Sequence, residues 1–326
     1  MNVIVYDFPE RKNDIFAERI IETTGESWEV LGLPKGENEL LFIWKLFIHR
    51  KKYDKIVFWQ QRQGIFYANF CELFHVKKGP KVFILTFIYK PLQGIKGKLK
   101  YILYNKTVHS KHVMRIICYS KYEVKYYGDM FSAPKGKIVS TLLGLGDQRY
   151  RNGDHQVHNE GYILDAGRSN RDHAFLEDAL KNTDYKAIIA DRTYNGEGND
   201  NCEIRHDVKY GEDLYKLIEK SFVVIVPLKD VNISAGQTVF IQAMMFAKPI
   251  IVTSSKTIDE YICNGQNGFI IEKEKDSLLK CLDVLSNNTE LYNEMCLKSR
   301  IFFEEKYSFE ALGTNTGKII VNSLSM

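Results

Sequence analysis

The sequence has no C-x-x-C pair: its six cysteines, Cys71, Cys118, Cys202, Cys263, Cys281 and Cys296, lie far apart. That spacing argues against a zinc ribbon or a dithiol motif, and several of the cysteines sit in apolar or helical runs, so they read as reduced core thiols. Long hydrophobic runs are also missing, and none approaches the roughly 18 residues that a spanning helix requires. The opening "MNVIVYDFPERK" offers only a short apolar run before Asp7, which reads as a first strand rather than a signal peptide. Charge of one sign is scarce too. The chain carries 45 Lys+Arg against 41 Asp+Glu, a net +4, so overall charge gives no reason to expect nucleic acid. What remains is 326 residues at 44% hydrophobic and 26% charged, enough for two soluble domains with a core each.

Short β-branched runs alternate with longer helical patterns throughout. In the first half, "NVIVYDF", "WEVLGL", "KIVFWQ", "KVFILTFIY" and "VMRIICYS" are expected strands, and "GKIVSTLLGLGD" closes the series. Helices are expected between them, the first opened by Asn13 or Asp14 and stopped by Gly25. Residues 147–160, "DQRYRNGDHQVHNE", are polar and unpatterned and form the candidate linker. Beyond it the alternation resumes with "GYILDAG", "YKAIIAD", "NCEIRHD", "FVVIVPL" and "KPIIVTSS", and with helices near 171–182, 212–220, 236–247 and 256–263. Two such series imply an α/β fold with two parallel doubly wound sheets, residues 1–146 and 147–310. Such sheets place ligands at the carboxyl ends of their strands, and two facing domains would form a cleft there.

One of those ends is "KDVNISAGQT", which runs from the strand "FVVIVPL" into a helix start near Gly236 or Gln237. Free N–H groups and the helix dipole favour an anion there; Gly236 admits close backbone approach, and Ser234 and Thr238 bring hydroxyls. A serine before a helix is also an ordinary cap. A second strand end, "DAGRSNRDH", sets Arg168 and Arg171 just past "GYILDAG", and two guanidinium forks suit a diphosphate, although isolated surface arginines look the same. Since strand ends of one parallel sheet converge, these arginines and the helix start are expected to face one diphosphate.

These residues carry a resemblance. "DAGRSNRDHAFLEDAL", "YGEDLYKLIEKSFVVIVPL" and "SAGQTVFIQAMMFAKPIIVTSSKTIDEYICNGQNGFII" resemble the donor-binding domain of GT-B glycosyltransferases, specifically glycosyltransferase family 4, with Ala247 where the family has glycine. The resemblance covers roughly residues 118–310. It implies two Rossmann-like domains facing a cleft, with 311–326 packing back toward the first. It implies transfer of a sugar from a nucleotide-sugar, with retention, without a metal and without a cofactor beyond the nucleotide-sugar itself, a UDP-sugar being favoured. By the same resemblance Gly167, Arg168, Ser169, Arg171, Ser234, Ala235, Gly236, Gln237, Thr238 and Gln242 bind the donor. Arg168, Arg171 and Ser234 are the candidate catalytic residues. Where the family has two glutamates bracketing the loop, this chain has Ser234 and Gln242, and Gln242 is expected to accept from a ribose hydroxyl.

On the acceptor side, "FWQQRQG" (58–64) follows a strand and brings Trp59, Gln60, Gln61 and Arg62, and amides beside an indole are common sugar contacts, as they are common helix caps. Between 90 and 125, nine lysines and arginines interleave with aromatic and aliphatic residues around a single acid, Glu123. That pattern suits an anionic membrane surface, with a solvated helix face as the plain alternative. His109 and His112 read as structural. The combined expectation is a cytoplasmic enzyme, peripheral at the inner face of a membrane, that passes a sugar to a glycan or lipid-linked acceptor in surface-polysaccharide assembly. A non-catalytic nucleotide-sugar-binding subunit and a GT-B sugar-nucleotide epimerase are the alternatives.

Overall fold

The computed structural model describes residues 1–10, 14–149, 159–232 and 235–324. They divide into two compact units, Met1–Thr141 with Leu312–Met326, and Leu142–Ala311. The first division precedes the polar stretch at 147–160 because Leu142, Leu143 and Leu145 already pack against the second unit's core. Residues 150–158 of that stretch lie outside the described residues.

The first unit runs β1 (Asn2–Tyr6), α1 (Ile15–Thr24), β2 (Trp28–Gly32), α2 (Glu39–Ile48), β3 (Lys55–Phe58), α3 (Gln61–Leu73), β4 (Lys81–Ile84), α4 (Gly94–His109), β5 (Val113–Cys118), α5 (Lys121–Met130) and β6 (Ile138–Ser140). Its strands form one parallel sheet ordered β2-β1-β3-β4-β5-β6. β1 is buried along its whole length. A strand covered by helices on both faces has no polar side to show, so it reads as an unbroken apolar run. The helices start where caps allow: the Asp14 carboxylate accepts from the Ala17 N–H at 3.2 Å and the Asn38 amide from the Leu41 N–H at 3.2 Å. Gly25 then stops α1 in the left-handed conformation at φ 65°.

The second unit runs β7 (Ile163–Ala166), α6 (His173–Leu180), β8 (Ala187–Ala190), β9 (Cys202–Arg205), α7 (Glu212–Lys220), β10 (Val223–Val226), α8 (Gln237–Met245), β11 (Ile250–Thr253), β12 (Gly268–Ile271), α9 (Lys275–Asn287) and α10 (Thr289–Phe302). Its parallel sheet is ordered β12-β11-β10-β7-β8-β9, with β7, β10 and β11 fully buried. A final helix, α11 (Phe309–Leu324), belongs to the first unit from Leu312 on. No helix among the described residues is long and apolar enough to cross a membrane. The α/β fold with two doubly wound parallel sheets is thus as the alternation implies.

Three expectations are corrected. The run "KVFILTFIY" pairs only as far as Ile84, because Thr86 turns left-handed at φ 57° and its hydroxyl donates to the Trp59 carbonyl at 2.8 Å. The helix expected at 256–263 is a single 3-10 turn, Ile258–Glu260. The Asn267 amide accepts from the Cys263 N–H at 2.8 Å and so closes the chain into a turn rather than another helical round. The following "GFII" becomes the sixth strand, and only glycine fits its start: a Cβ on Gly268 would stand 2.2 Å from the Ile250 carbonyl oxygen.

α11 lies against α1 through glycines of the same kind. A Cβ on Gly313 would meet the Phe16 carbonyl oxygen at 2.5 Å, and one on Gly317 the Thr23 Cβ at 2.6 Å. Gly313→Val is therefore expected to lower the unfolding free energy by at least about 1–3 kcal/mol in urea titration. Gly128→Ala, in α5 with nothing within 4 Å of its added methyl, should be neutral or stabilise by up to about 1 kcal/mol. Equal effects of the two would contradict this packing of α11.

Candidate functional site

In the second sheet the chain walks outward from β7 through β8 and β9, then returns to pair β10 on the other side of β7. Strand order reverses between β7 and β10, and in doubly wound sheets the crevice beyond the carboxyl ends at such a reversal is where ligands bind. Two loops leave the sheet there: residues 167–172 after β7, and the segment from Pro227 that feeds α8.

Both loops turn on glycine. Gly167 adopts φ 104° and Gly236 φ 96°, a region that L side chains rarely enter. At Gly236 a Cβ would in addition overlap the Phe240 ring at 2.3 Å. Gly236 is the N-cap of α8 and has no side chain with which to cap it. Ala235 is buried, Gln237 half-buried and Thr238 exposed. Ser234 lies outside the described residues.

The two arginines part company. Arg168 is exposed, its guanidinium 6.0 Å from the centre of the Tyr210 ring. Arg171 is only 5% exposed; its Nε donates to the Ala166 carbonyl at 2.9 Å and its Nη1 to the Ser169 carbonyl at 2.9 Å. Burial draws its pKa down from the ordinary value, opposed by the charge of Asp165. Arg171 is thus not a second surface fork beside Arg168. It braces the 167–172 loop from beneath, a role invisible in the sequence because the same "RSNR" spacing serves either purpose. Ser169, exposed, turns its carbonyl to Arg171.

The loops are joined to each other. The Asn170 side chain donates to the Asp230 carbonyl and accepts from the Asp230 N–H, both at 2.8 Å, while the Lys229 N–H meets the Asn170 carbonyl at 3.2 Å. Asp172 caps α6, accepts from Lys273 Nζ at 2.9 Å and sends its N–H to the Pro227 carbonyl. The loop that carries Arg168 and the segment 227–230 that leads toward α8 are therefore held in one hydrogen-bonded frame.

Beneath it lies a cluster that sequence reasoning missed. His173 is buried between two carboxylates, with Nδ1 2.6 Å from Asp165 Oδ2 and Nε2 3.1 Å from both Asp191 Oδ2 and the Gly167 carbonyl. Both ring nitrogens face carboxylate or carbonyl oxygens only, an arrangement that favours the charged imidazolium. Burial opposes that charge, but the attraction and hydrogen bonds of Asp165 and Asp191 outweigh it and raise the pKa. At Asp191, burial pushes the pKa up, yet donors from the Thr193 N–H and hydroxyl and from His173 outweigh it and hold the carboxyl below its usual range. The signal was an aspartate inside the apolar run "YILDAG", a position that requires a buried partner. Gln242, one and a half turns into α8, is 5% exposed, and its Oε1 is buried with no hydrogen-bond partner among the described residues.

The first sheet reverses between β1 and β3. Beyond those strand ends is a cavity of about 680 Å³ lined by Asp7, Gln60, Gln61 and Arg62 and by residues of α3 and α4. Gln60 caps α3, and Gln61 and Arg62 form its first turn rather than a loop. The Gln61 side-chain oxygen Oε1 accepts from the Ile88 N–H at 2.8 Å, and Arg62 Nε pairs with Glu39 at 2.6 Å. The sequence-predicted residues therefore fall into two groups, each at the reversal point of its own sheet. His112 is structural: it is buried, with its Nε2 2.9 Å from the Val76 carbonyl.

Comparison with known proteins bears on this geometry. Residues 180–300 match the family described as glycosyl transferases group 1. Over 76 residues the chain is 37% identical to an uncharacterized glycosyltransferase of Haemophilus influenzae, a stretch covering 23% of this chain and 21% of that protein, so the match spans about a fifth of the curated relative's length. Among solved structures, a glycosyltransferase of Rickettsia africae is 13% identical across 99% of this chain and 98% of its own, at a TM-score of 0.66. HepE of Anabaena in complex with UDP-glucose is 13% identical across 100% of both chains, at 0.67. Sucrose-phosphate synthase of Thermosynechococcus elongatus is 9% identical across 100% and 99%, at 0.68. At such identities the structural likeness is one of fold, the two doubly wound units of GT-B glycosyltransferases. Together with the family match in the second unit it bears out the resemblance to GT-B glycosyltransferases read from the sequence.

Two outcomes follow for the frame. Arg171→Ala should cost about 1.5–3 kcal/mol of stability in urea titration through its lost charge-assisted hydrogen bonds, whereas Arg168→Ala should change it by less than about 0.5 kcal/mol. Because the His173 pKa is raised, its contribution is full below the unfolded value of about 6.5 and is lost as pH rises through the folded value. The stability gap between wild type and His173→Gln should therefore shrink as pH rises above about 6.5. A constant gap would mean that the buried imidazole is uncharged.

Proposed function

We propose that the chain is a retaining, metal-independent glycosyltransferase whose second unit binds the diphosphate of a UDP-sugar at the β7/β10 reversal. The observation that carries this reading is that exposed Arg168 and the α8 start each follow a left-handed glycine at the β7/β10 reversal, with the loop of Arg168 bonded through Asn170 to Asp230 in the segment that leads toward α8. Backbone N–H groups at a helix start and a guanidinium beside them form an anion cradle. The unpartnered Gln242 Oε1 supports the reading further, since a buried acceptor of that kind costs about 1–3 kcal/mol unless a donor such as a ribose hydroxyl meets it. HepE, whose solved complex holds UDP-glucose, has the same fold and favours uridine as the base.

In this reaction the acceptor hydroxyl oxygen bonds to the anomeric carbon as the bond from that carbon to the donor phosphate breaks. The electron pair leaves with the diphosphate, and a phosphate oxygen takes the hydroxyl proton. Arg168 and the α8 N–H groups oppose the charge that builds on the departing diphosphate; loss of one such donor typically costs on the order of 10²–10³ in turnover. The scheme leaves Asp165 and Asp191 to His173, which holds Oδ2 of each. A glycan or lipid-linked acceptor and work at the inner face of a membrane, in surface-polysaccharide assembly, complete the proposal. The lysines and exposed apolar residues of α4 support that setting.

UDP at 100 times its dissociation constant should add about 2.7 kcal/mol to the unfolding free energy, seen as a raised melting temperature. Arg168→Ala should weaken this shift, and EDTA should leave both the shift and sugar transfer unchanged. No shift with any nucleoside diphosphate would overturn the donor site. Shift without transfer to any acceptor would instead mark a nucleotide-sugar-binding subunit.

A further inference from the structure

The cavity of the first unit has a chemical asymmetry that names its ligand class. The lining residues that follow β1 and β3 are polar: Asp7, the amides of Gln60 and Gln61, and Arg62. Its wall is apolar, with Ile65 and Phe66 from α3 and Leu99, Leu103 and Tyr104 from α4. Lys96 and Lys100 also line it, and Asp7 is the single carboxylate among the lining residues.

α4 arranges these groups in two columns. Ile95, Leu99 and Leu103 recur every four residues, and so do Lys96, Lys100 and Tyr104, so an apolar column and a basic column run side by side along the helix. The apolar column does not end at the cavity. Ile95 is 79% exposed and Leu99 57%, with Ile102 beside them at 47%. A polar sugar acceptor would gain nothing from aliphatic side chains left in water along its exit path. A chain of methylenes would, at about 0.8 kcal/mol for each one buried. The basic column is available to an anion. Lys100 Nζ donates to the Lys90 carbonyl at 2.8 Å and lies 4.9 Å from the Tyr89 ring centre, and neither contact neutralises its charge. Lys96 makes no ion pair among the described residues, whereas Arg62 is already paired with Glu39.

We infer that this cavity binds an anionic amphiphile: a phosphate-type head held by Lys96 and Lys100, the hydroxyl-bearing part toward Gln60 and Gln61, and an apolar chain leaving along Ile95, Leu99 and Leu103. This rests on the glycosyl-transfer reading only in making that molecule the acceptor; the binding itself does not depend on it.

Octyl phosphate, octyl glucoside and inorganic phosphate, each below any micelle-forming concentration, separate the parts of this claim by calorimetry. Octyl phosphate should bind at least about tenfold more tightly than either of the others, because only it carries both the charge and the chain. Lys96→Ala, at an exposed position, should weaken octyl phosphate by several-fold, and Lys96→Ala/Lys100→Ala by more. Leu99→Ser should weaken octyl phosphate while leaving inorganic phosphate unchanged. Equal binding of inorganic phosphate would overturn the chain path, and equal binding of octyl glucoside would overturn the anion site. Unchanged octyl phosphate affinity in the double lysine variant would overturn the assigned residues. UDP-induced stabilisation measured on the same variants keeps the two readings apart. It should persist in all of them if the donor site stands, and its failure in wild type would sink the donor reading without touching the amphiphile result.

Discussion

The reciprocal hydrogen bonds between the Asn170 side chain and the backbone of Asp230 are the contact on which the candidate donor site depends. They join the loop after β7 to the loop after β10, strands far apart in sequence and adjacent only because the sheet order reverses between them. Parallel strands deliver their loops to one edge, but loops alone are mobile and their relative positions are loose. An asparagine held at φ 59° with its amide in a two-way bond to another loop removes that freedom. Arg171 does the same within the first loop, from below, by filling the carbonyls of Ala166 and Ser169. The expense of burying a guanidinium is met by backbone acceptors and by the nearby charge of Asp165. What is left at the surface of the first loop is Arg168, on a backbone already fixed.

How far the sequence discloses this depends on what a pattern can encode. Strands buried on both faces leave a mark in the chain itself, and the runs around β1, β7, β10 and β11 are readable for that reason. The reversal point is readable in turn, because it follows from the order of the βα units. Burial of one polar residue among several leaves no such mark. Arg168 and Arg171 look alike in "GRSNR", and only the fold separates the exposed one from the brace. His173 looks like one more polar residue at a helix start, although both of its nitrogens are engaged by acidic groups and a carbonyl beneath the loop.

Ala247 shows a third situation. The motif comparison marks it as standing where glycine is usual, and the structure explains why glycine is usual: Ala247, two residues past the end of α8, sits at φ 54°, buried, in the left-handed region. Alanine there costs roughly 1–2 kcal/mol of backbone strain, offset in part by its buried methyl and by the stiffer unfolded chain that a non-glycine residue gives. The substitution is thus tolerable without changing the turn. The basic stretch near residue 100 is the converse. Its composition is plain in the sequence, but its meaning needed the helix α4, which sorts the same residues into one apolar and one basic column.

The central claim is that a nucleoside diphosphate sits on the joined strand-end loops of the second unit. Amide hydrogen exchange, followed by mass spectrometry with and without saturating UDP, tests it most directly. The account predicts slowed exchange concentrated in peptides covering 167–172 and 228–238, with the first unit's exchange unchanged at 55–66. Protection centred on the first unit, or none in the two loops at saturating UDP, would contradict it.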